Sequence, residues 1–253
     1  MTKPGGPKFL RVLRRTVTAI TALALVVLLV GYAINFHTRH RAELLLHDLQ
    51  ALQVGTSTAH DAMQIVSRYG GWRMPDPDPN NGDVAPWGIG PCSGPHPRYA
   101  IRIAPNLINR AVVAVPQLQH LGFHAWGVAS TIDLKEGVVC CFEQDIGFQR
   151  PDGHEIESEA QMVPVQLRPE DGSYSVHSEL IRNYIHSLRA SVLPSASKEE
   201  KSRAFDINLA CVTSFHGCFY TCELAPAVWR DVFQIHKMNK WPVEGEGDSR
   251  CSR

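Results

Sequence analysis

From Thr16 to Phe36 the chain reads TVTAITALALVVLLVGYAINF, twenty-one residues without a charge. At about 1.5 Å per residue a helix of that length spans about 30 Å, the thickness of a bilayer core. A soluble amphipathic helix would show a polar face at 3.6-residue spacing, and this run shows none. Its threonines, Thr16, Thr18 and Thr21, suit a membrane because each hydroxyl can bond to a carbonyl one turn back. The pattern predicts a transmembrane helix over residues 16–36.

Beyond it the periodicity becomes amphipathic. In RAELLLHDLQALQVG, Leu45, Leu49 and Leu52 fall at i, i+4 and i+7, with Leu46 on the same side, so the helix continues outward. Gly55 ends it, Thr56, Ser57 and Thr58 are N-cap candidates, and AHDAMQIVSRYG restarts a helix with Met63, Val66 and Tyr69 inward. Gly70 and Gly71 close a helical hairpin over residues 42–72.

Residues 73–97 change character. Seven of the chain's 17 prolines lie between Pro75 and Pro97, together with Gly82, Gly88, Gly90 and Gly94. Proline removes a backbone donor and glycine costs ordering entropy, so a long loop is expected. Trp72 and Trp87 mark it as a binding-loop candidate, since an aromatic ring brings contact area at little entropic cost. The competing expectation is that the two rings pin the loop to the core.

Residues 98–243 carry the signals of an α+β exported domain. RYAIRIA alternates as a strand; NLINRAVVAVPQLQHLGF is expected to be helical up to His120; WGVASTIDLKEGVVCCFEQDIGFQ reads as a hairpin turning at Leu134, Lys135, Glu136 and Gly137. QMVPVQL is a further strand candidate, SYSVHSELIRNYIHSL a strand passing into a helix, and APAVWRDVFQIHKM a last helix. Residues 244–253 read as a disordered tail. The fold class is α+β: an N-terminal transmembrane helix, a helical hairpin, then a small antiparallel sheet with flanking helices.

Charge supplies the topology. Residues 1–15 hold Lys3, Lys8, Arg11, Arg14 and Arg15 and no acid, which places them in the cytoplasm and the remainder outside the inner or plasma membrane, in a single pass. The formal net charge of zero hides an acidic exported part, with 18 bases against all 25 acids from Ala42 onward. That balance excludes nucleic acid as a partner and disfavours anionic lipid, because both require a basic footprint. The partner of residues 16–36 is the lipid bilayer itself. A cleaved signal peptide is the rival, with Gly31 and Ala33 at the −3 and −1 positions; the uncharged run exceeds the usual h-region of about 7–15 residues and favours an uncleaved anchor.

An exported location decides how the seven cysteines are read. Oxidation is expected, so Cys92, Cys140, Cys141, Cys211, Cys218 and Cys222 are disulfide candidates, and Cys251 in the tail is the candidate free thiol. Cys211 can close a short loop with Cys218, or Cys218 can share a turn with Cys222. Cys140 and Cys141 are neighbours on a strand, point to opposite faces and do not bond each other. Zinc on Cys211, His216, Cys218 and Cys222 has the right ligand chemistry, but His216 and Cys218 stand too close for an easy tetrahedron.

Catalytic signatures are missing: there is no G-x-S-x-G, S-x-x-K or phosphate loop. His120 and His124 are separated by Gly122, which ends a helix, and read as a surface or half-buried pair. His154, Glu155, Glu157 and Glu159 read as a solvated acidic stretch, and Asp76, Asp78, Asn80 and Asp83 miss the glycine and glutamate of a calcium loop. No cofactor is expected. The function expected is non-catalytic binding, assembly or a structural role at the cell envelope. The alternative is an exported hydrolase or metal-dependent enzyme with a cleft built on His120, His124, His154 or His216.

Within residues 46–70, the stretch LQALQVGTSTAHDAMQIVSRYG resembles the helix–G-x-[ST]-x-x-x-[VMI]–helix opening of BamE/SmpA-like envelope proteins. The chain departs from that family in lacking a lipobox cysteine and in its YGGW ending. Its layout is also similar to single-pass bacterial envelope proteins that end in a C…GC…LP…W pattern, here Cys211, Gly217, Cys218, Leu224, Pro226 and Trp229. Both resemblances imply an envelope location and an envelope protein partner, and neither implies a catalytic residue.

Overall fold

A computed structural model describes residues 7–75, 96–149, 174–181, 185–192, 197–218 and 221–228. The first element, α1 (Pro7–Ala51), is one unbroken helix of 45 residues, about 67 Å long at 1.5 Å per residue. It is long and apolar enough to cross a membrane. Its two ends live in different surroundings. Leu23, Val26, Val27 and Leu29 are exposed apolar side chains, whereas Ala42, Leu45, Leu46 and Leu49 are buried in the core. Thr16 and Thr18 bond back to the carbonyls of Val12 and Arg14, as expected of hydroxyls on an apolar helix.

Gly55, at φ 79°, turns the chain into α2 (Ala59–Tyr69). Thr58 caps α2 through a capping box with Asp61, and Gly70 terminates it in the left-handed region at φ 72°. The buried stripe is Ala62, Ile65, Val66 and Tyr69, so Met63 faces outward rather than inward. Spacing of i, i+3, i+4, i+7 from Ala62 puts all four on one side, and Met63 lies off that stripe. Asp48 of α1 joins the two helices by accepting hydrogen bonds from Arg68 (2.7 Å) and Tyr69 (2.8 Å).

Six strands form one antiparallel sheet: β1 (Trp72–Arg73), β2 (Arg98–Ile103), β3 (Trp126–Lys135), β4 (Val138–Gln149), β5 (Tyr174–Ile181) and β6 (Ile185–Val192), in the order β1-β2-β3-β4-β6-β5. The β3–β4 turn is tighter than expected. Lys135 still pairs with Val138, leaving Glu136 (φ 55°) and Gly137 (φ 81°) as a two-residue turn with both residues left-handed. The corner between the helices docks beside this turn, through Gly55 N to Val139 O and Ala59 N to Gly137 O, both 2.7 Å.

The sheet corrects two further expectations. Trp72 belongs to a strand paired with Ala100, not to a loop. The second half of SYSVHSELIRNYIHSL is strand β6 rather than helix, because β4 and β5 offer it a backbone ladder on both sides. Trp87, QMVPVQL, most of the proline-rich loop, the bulk of APAVWRDVFQIHKM and the C-terminal tail lie outside the described residues.

The expected helix up to His120 divides into α3 (Asn106–Ala114) and a 3-10 helix (Pro116–Leu121). Pro116 cannot donate into α3's ladder, so the α-helix stops before it. Four short helices complete the described chain: α4 (Lys198–Ala204), α5 (Leu209–Val212), α6 (Thr221–Leu224) and α7 (Pro226–Val228). The main core joins the C-terminal part of α1, α2 and residues of α4–α6 to one sheet face, on Ile101, Val128, Ile132, Phe142 and Ile146.

Candidate functional site

The chemistry-bearing residues gather in two places, a junction where α1 leaves its exposed apolar stretch and a polar cluster within the sheet.

At the junction a second, smaller core forms from Ile108, Val112, Phe123 and Ala125, with Leu28, Ile34 and Leu118 against it. Gly31 is what permits the approach. A Cβ there would stand 2.9 Å from two ring carbons of Phe123, so the phenyl ring lies directly on the helix backbone. One residue on, the Tyr32 ring centroid is 4.8 Å from that of Phe123, and the Tyr32 hydroxyl donates to the carbonyl of Leu121.

Asn35, the one strongly polar residue near the end of the uncharged run, is buried and accepts a hydrogen bond from Trp126 Nε1 at 2.7 Å. The backbone of Trp126 is in turn held by Asn109 of α3, whose amide donates to its carbonyl (2.7 Å) and accepts from its N–H (3.2 Å). Trp126 satisfies the amide oxygen, while Asn35 Nδ2 is buried without a hydrogen-bond partner among the described residues. Asn35 thus links α1 to the first residue of β3.

The stretch SFHGC completes the junction. Cys211 and Cys218 form a disulfide, with Cα atoms 5.1 Å apart across seven positions. Arg39 of α1 donates to Thr213 Oγ1 (2.9 Å), pairs with Glu43 at 3.2 Å and lies 5.0 Å from the Phe36 ring centre. Within the loop Ser214 Oγ donates to Cys211 O, and Gly217 takes φ 69°. Phe215 stands exposed at the tip, with the His216 ring edge-on at 5.6 Å. His124 lies buried beneath it, Nε2 3.4 Å from Phe215 O, and burial holds its pKa below the ordinary histidine value. The imidazole is therefore neutral near pH 7.

This geometry resolves several candidates. A disulfide leaves neither Cys211 nor Cys218 as a thiolate, so the proposed zinc set with His216 and Cys222 loses two of its sulfurs. His120 is exposed and His124 is buried, on opposite sides of the left-handed Gly122, so the two imidazoles occupy different surroundings. Among the described residues no three His, Cys, Asp or Glu side chains are grouped to hold a metal ion. Trp72 is half exposed on β1. Cys92, Cys251, Trp87, His154 and the calcium-like Asp76–Asp83 segment lie outside the described residues, as does the side chain of Cys222.

The polar cluster is a row across three strands. Arg98 on β2 faces Asp133 on β3, which faces Cys141 on β4. Arg98 donates to both carboxylate oxygens of Asp133, at 2.6 and 3.1 Å. The Cys141 thiol donates to Oδ2 at 3.2 Å, and His96 Nε2 lies 3.6 Å from Oδ1.

A cysteine, a histidine and a carboxylate in one place are the raw material of a nucleophilic site, but this set is wired the other way. Burial, and then the Asp133 charge, push the Cys141 thiol far up, so it remains a protonated donor. The arrangement holds the strands together and favours the thiol over the thiolate. Cys140 next door is disulfide-bonded while Cys141 is free. A register shift in the β3–β4 ladder separates these neighbours: Asp133 pairs with Cys141 and Leu134 with Val139, so Cys140 is the extra residue of a bulge.

Sequence reasoning missed Asn35–Trp126 and Arg98–Asp133–Cys141. A polar residue near the end of an apolar run and a charge inside a strand were the available signals. No family model, no curated protein and no solved structure matches this chain.

Proposed function

We propose that the protein is a single-pass envelope protein, with its basic N-terminus cytoplasmic and its α+β domain outside, and that it acts by binding or assembly rather than catalysis. The observation that carries this reading is the continuity of α1: the helix that offers an exposed apolar surface also supplies Leu45, Leu46 and Leu49 to the domain core. No flexible linker intervenes, so the domain is held at a set height and orientation against the membrane. An enzyme acting on a diffusing substrate gains little from that rigidity, whereas a protein that must present one face to a neighbour needs it.

The junction also bears on the cleaved-leader alternative. Cutting after Ala33 would remove Leu28, Gly31 and Tyr32, which pack on Phe123, and would open the smaller core. The protonated Cys141 weighs against a cysteine nucleophile. The envelope-protein resemblance of residues 46–70 agrees with an assembly role.

Two readouts on right-side-out membrane vesicles test the proposal. External protease should digest the domain and leave a tag on residue 1 protected and membrane-bound; loss of the N-terminal tag with a protected domain would overturn the topology. A photo-crosslinker placed at Trp72 should then yield an adduct of one defined larger mass. Migration at the mass of the lone chain would overturn the assembly reading.

A further inference from the structure

The smaller core lies at an unexpected depth. Leu28, Gly31, Tyr32 and Ile34, all within the uncharged run, are α1 residues against which Phe123 and its neighbours pack. Leu28 stands eight residues before Phe36, so this packing begins about 12 Å inside the end of the apolar run at 1.5 Å per residue. If residues 16–36 occupy the hydrocarbon, part of α3 and the following 3-10 helix lies beside them at hydrocarbon depth.

The surface there matches such a place. Leu107, Val113, Val115 and Leu121 are exposed, at 72%, 57%, 47% and 43%, and so is Phe215 at 58%. Phe215 belongs to this surface: a Cβ on Gly122, the residue after Leu121, would meet its ring at 2.9 Å and the Tyr32 hydroxyl at 3.1 Å. The sequence is also depleted of charge on both contributing segments. Residues 103–132 contain no acid and a single base, Arg110, and residues 207–222 contain no charged residue at all. In a domain otherwise rich in acids, two charge-poor segments meeting beside an apolar helix need an apolar neighbour. The Cys211–Cys218 disulfide holds Phe215 at the tip of a short closed loop, so little ordering entropy remains to be lost on insertion.

Resting on the single-pass reading above, we infer that α3, the 3-10 helix and the Phe215 loop form a second, monotopic membrane contact, seated among the lipid chains of the outer leaflet beside α1. The occupant is the bilayer, because this face continues the apolar surface of the helix already taken to cross it. It is the apolar interior rather than the headgroup charge that is recognised, since Arg110 is the only charge on α3.

The test uses the full chain in phosphatidylcholine vesicles containing chain-brominated lipid, which quenches tryptophan on contact. Four variants are compared with the parent chain: Leu107→Trp and Phe215→Trp on the proposed face, Leu23→Trp on α1, and Lys135→Trp as the distal control. Lys135 ends β3, nine residues from the Trp126 that binds Asn35, or about 30 Å along the strand. The added tryptophans at 107, 215 and 23 should lose most of their emission and the one at 135 should keep it. Quenching at 23 with either 107 or 215 at the level of 135 would overturn this inference and leave the spanning helix standing; a second copy of the chain covering the face would give that result. No quenching at 23 would overturn the spanning helix, and the second contact with it.

Discussion

Asp133→Asn is the most informative single change to the sheet. It removes a charge and keeps the shape of a side chain that is only 3% exposed. The wild-type carboxylate accepts two bonds from Arg98 and one from Cys141; the amide can accept at one oxygen only. Arg98 would be left without its counter-charge while its side chain stays largely covered, at 23% exposure. Breaking one partner of a buried pair costs about 3–5 kcal/mol, and the residual water at Arg98 puts this case near the lower end, about 3 kcal/mol. For a domain of this size that corresponds to a fall in Tm of about 6–12 °C, at about 2–4 °C per kcal/mol.

The control is to remove both charges, with Arg98→Met and Asp133→Leu together. Because two apolar groups of similar volume do not leave an orphaned ion, the double variant should recover most of the loss. Denaturant unfolding of the purified full chain in detergent micelles, followed by tryptophan emission, compares the parent chain, Asp133→Asn and the double variant. A cost below about 1 kcal/mol for Asp133→Asn would mean a solvent-screened surface pair. A double variant no more stable than Asp133→Asn would mean that the row does not act as a charge pair at all. Either result refutes the reasoning.

Two further outcomes follow from the junction. Replacing Cys211 and Cys218 by serine should lower stability by about 2.5 kcal/mol from the lost loop closure alone, read by the same denaturant titration with and without reductant; unchanged stability would show that the staple constrains nothing. His124 has a depressed folded-state pKa, so the unfolded chain binds more protons below its ordinary value; stability should fall as pH drops through about 6.5 and level off below the folded value. His124→Gln should flatten that part of the pH profile, and an identical slope in the variant would assign the dependence to another group.

How much was legible in the sequence differs from element to element. The run from Thr16 to Phe36, the leucine stripe from Leu45 to Leu52, and the Gly55 and Gly70 boundaries all depend on interactions within a few residues. Such signals survive in a linear pattern. The β2 strand and the β3–β4 hairpin were legible for the same reason, through period-two alternation and a glycine in the turn. Local pattern misled where a neighbour supplied the decisive contacts. Residues of β6 carry a helix-compatible composition, yet a ladder on each side makes them a strand. Met63 was placed inward because periodicity defines a stripe only to within one residue of rotation, whereas packing selects one.

The candidate site was the least legible part. Asn35 and Trp126 are 91 positions apart, and His124 and Phe215 likewise. Spacing between cysteines suggested both a staple and a metal set, and only the placement of Cys211 opposite Cys218 chose between them. The sequence by itself determined the apolar run within α1 and its continuation into the leucine stripe, the class of fold and the acidic character of the part beyond it, because composition and short-range periodicity carry these. Tertiary structure decided that α1 is also a core helix, that burial beside the Asp133 carboxylate keeps Cys141 protonated, and that charge-poor segments far apart in the chain meet beside Tyr32. Those outcomes depend on which surfaces exclude water together, and that is a property of the assembled chain.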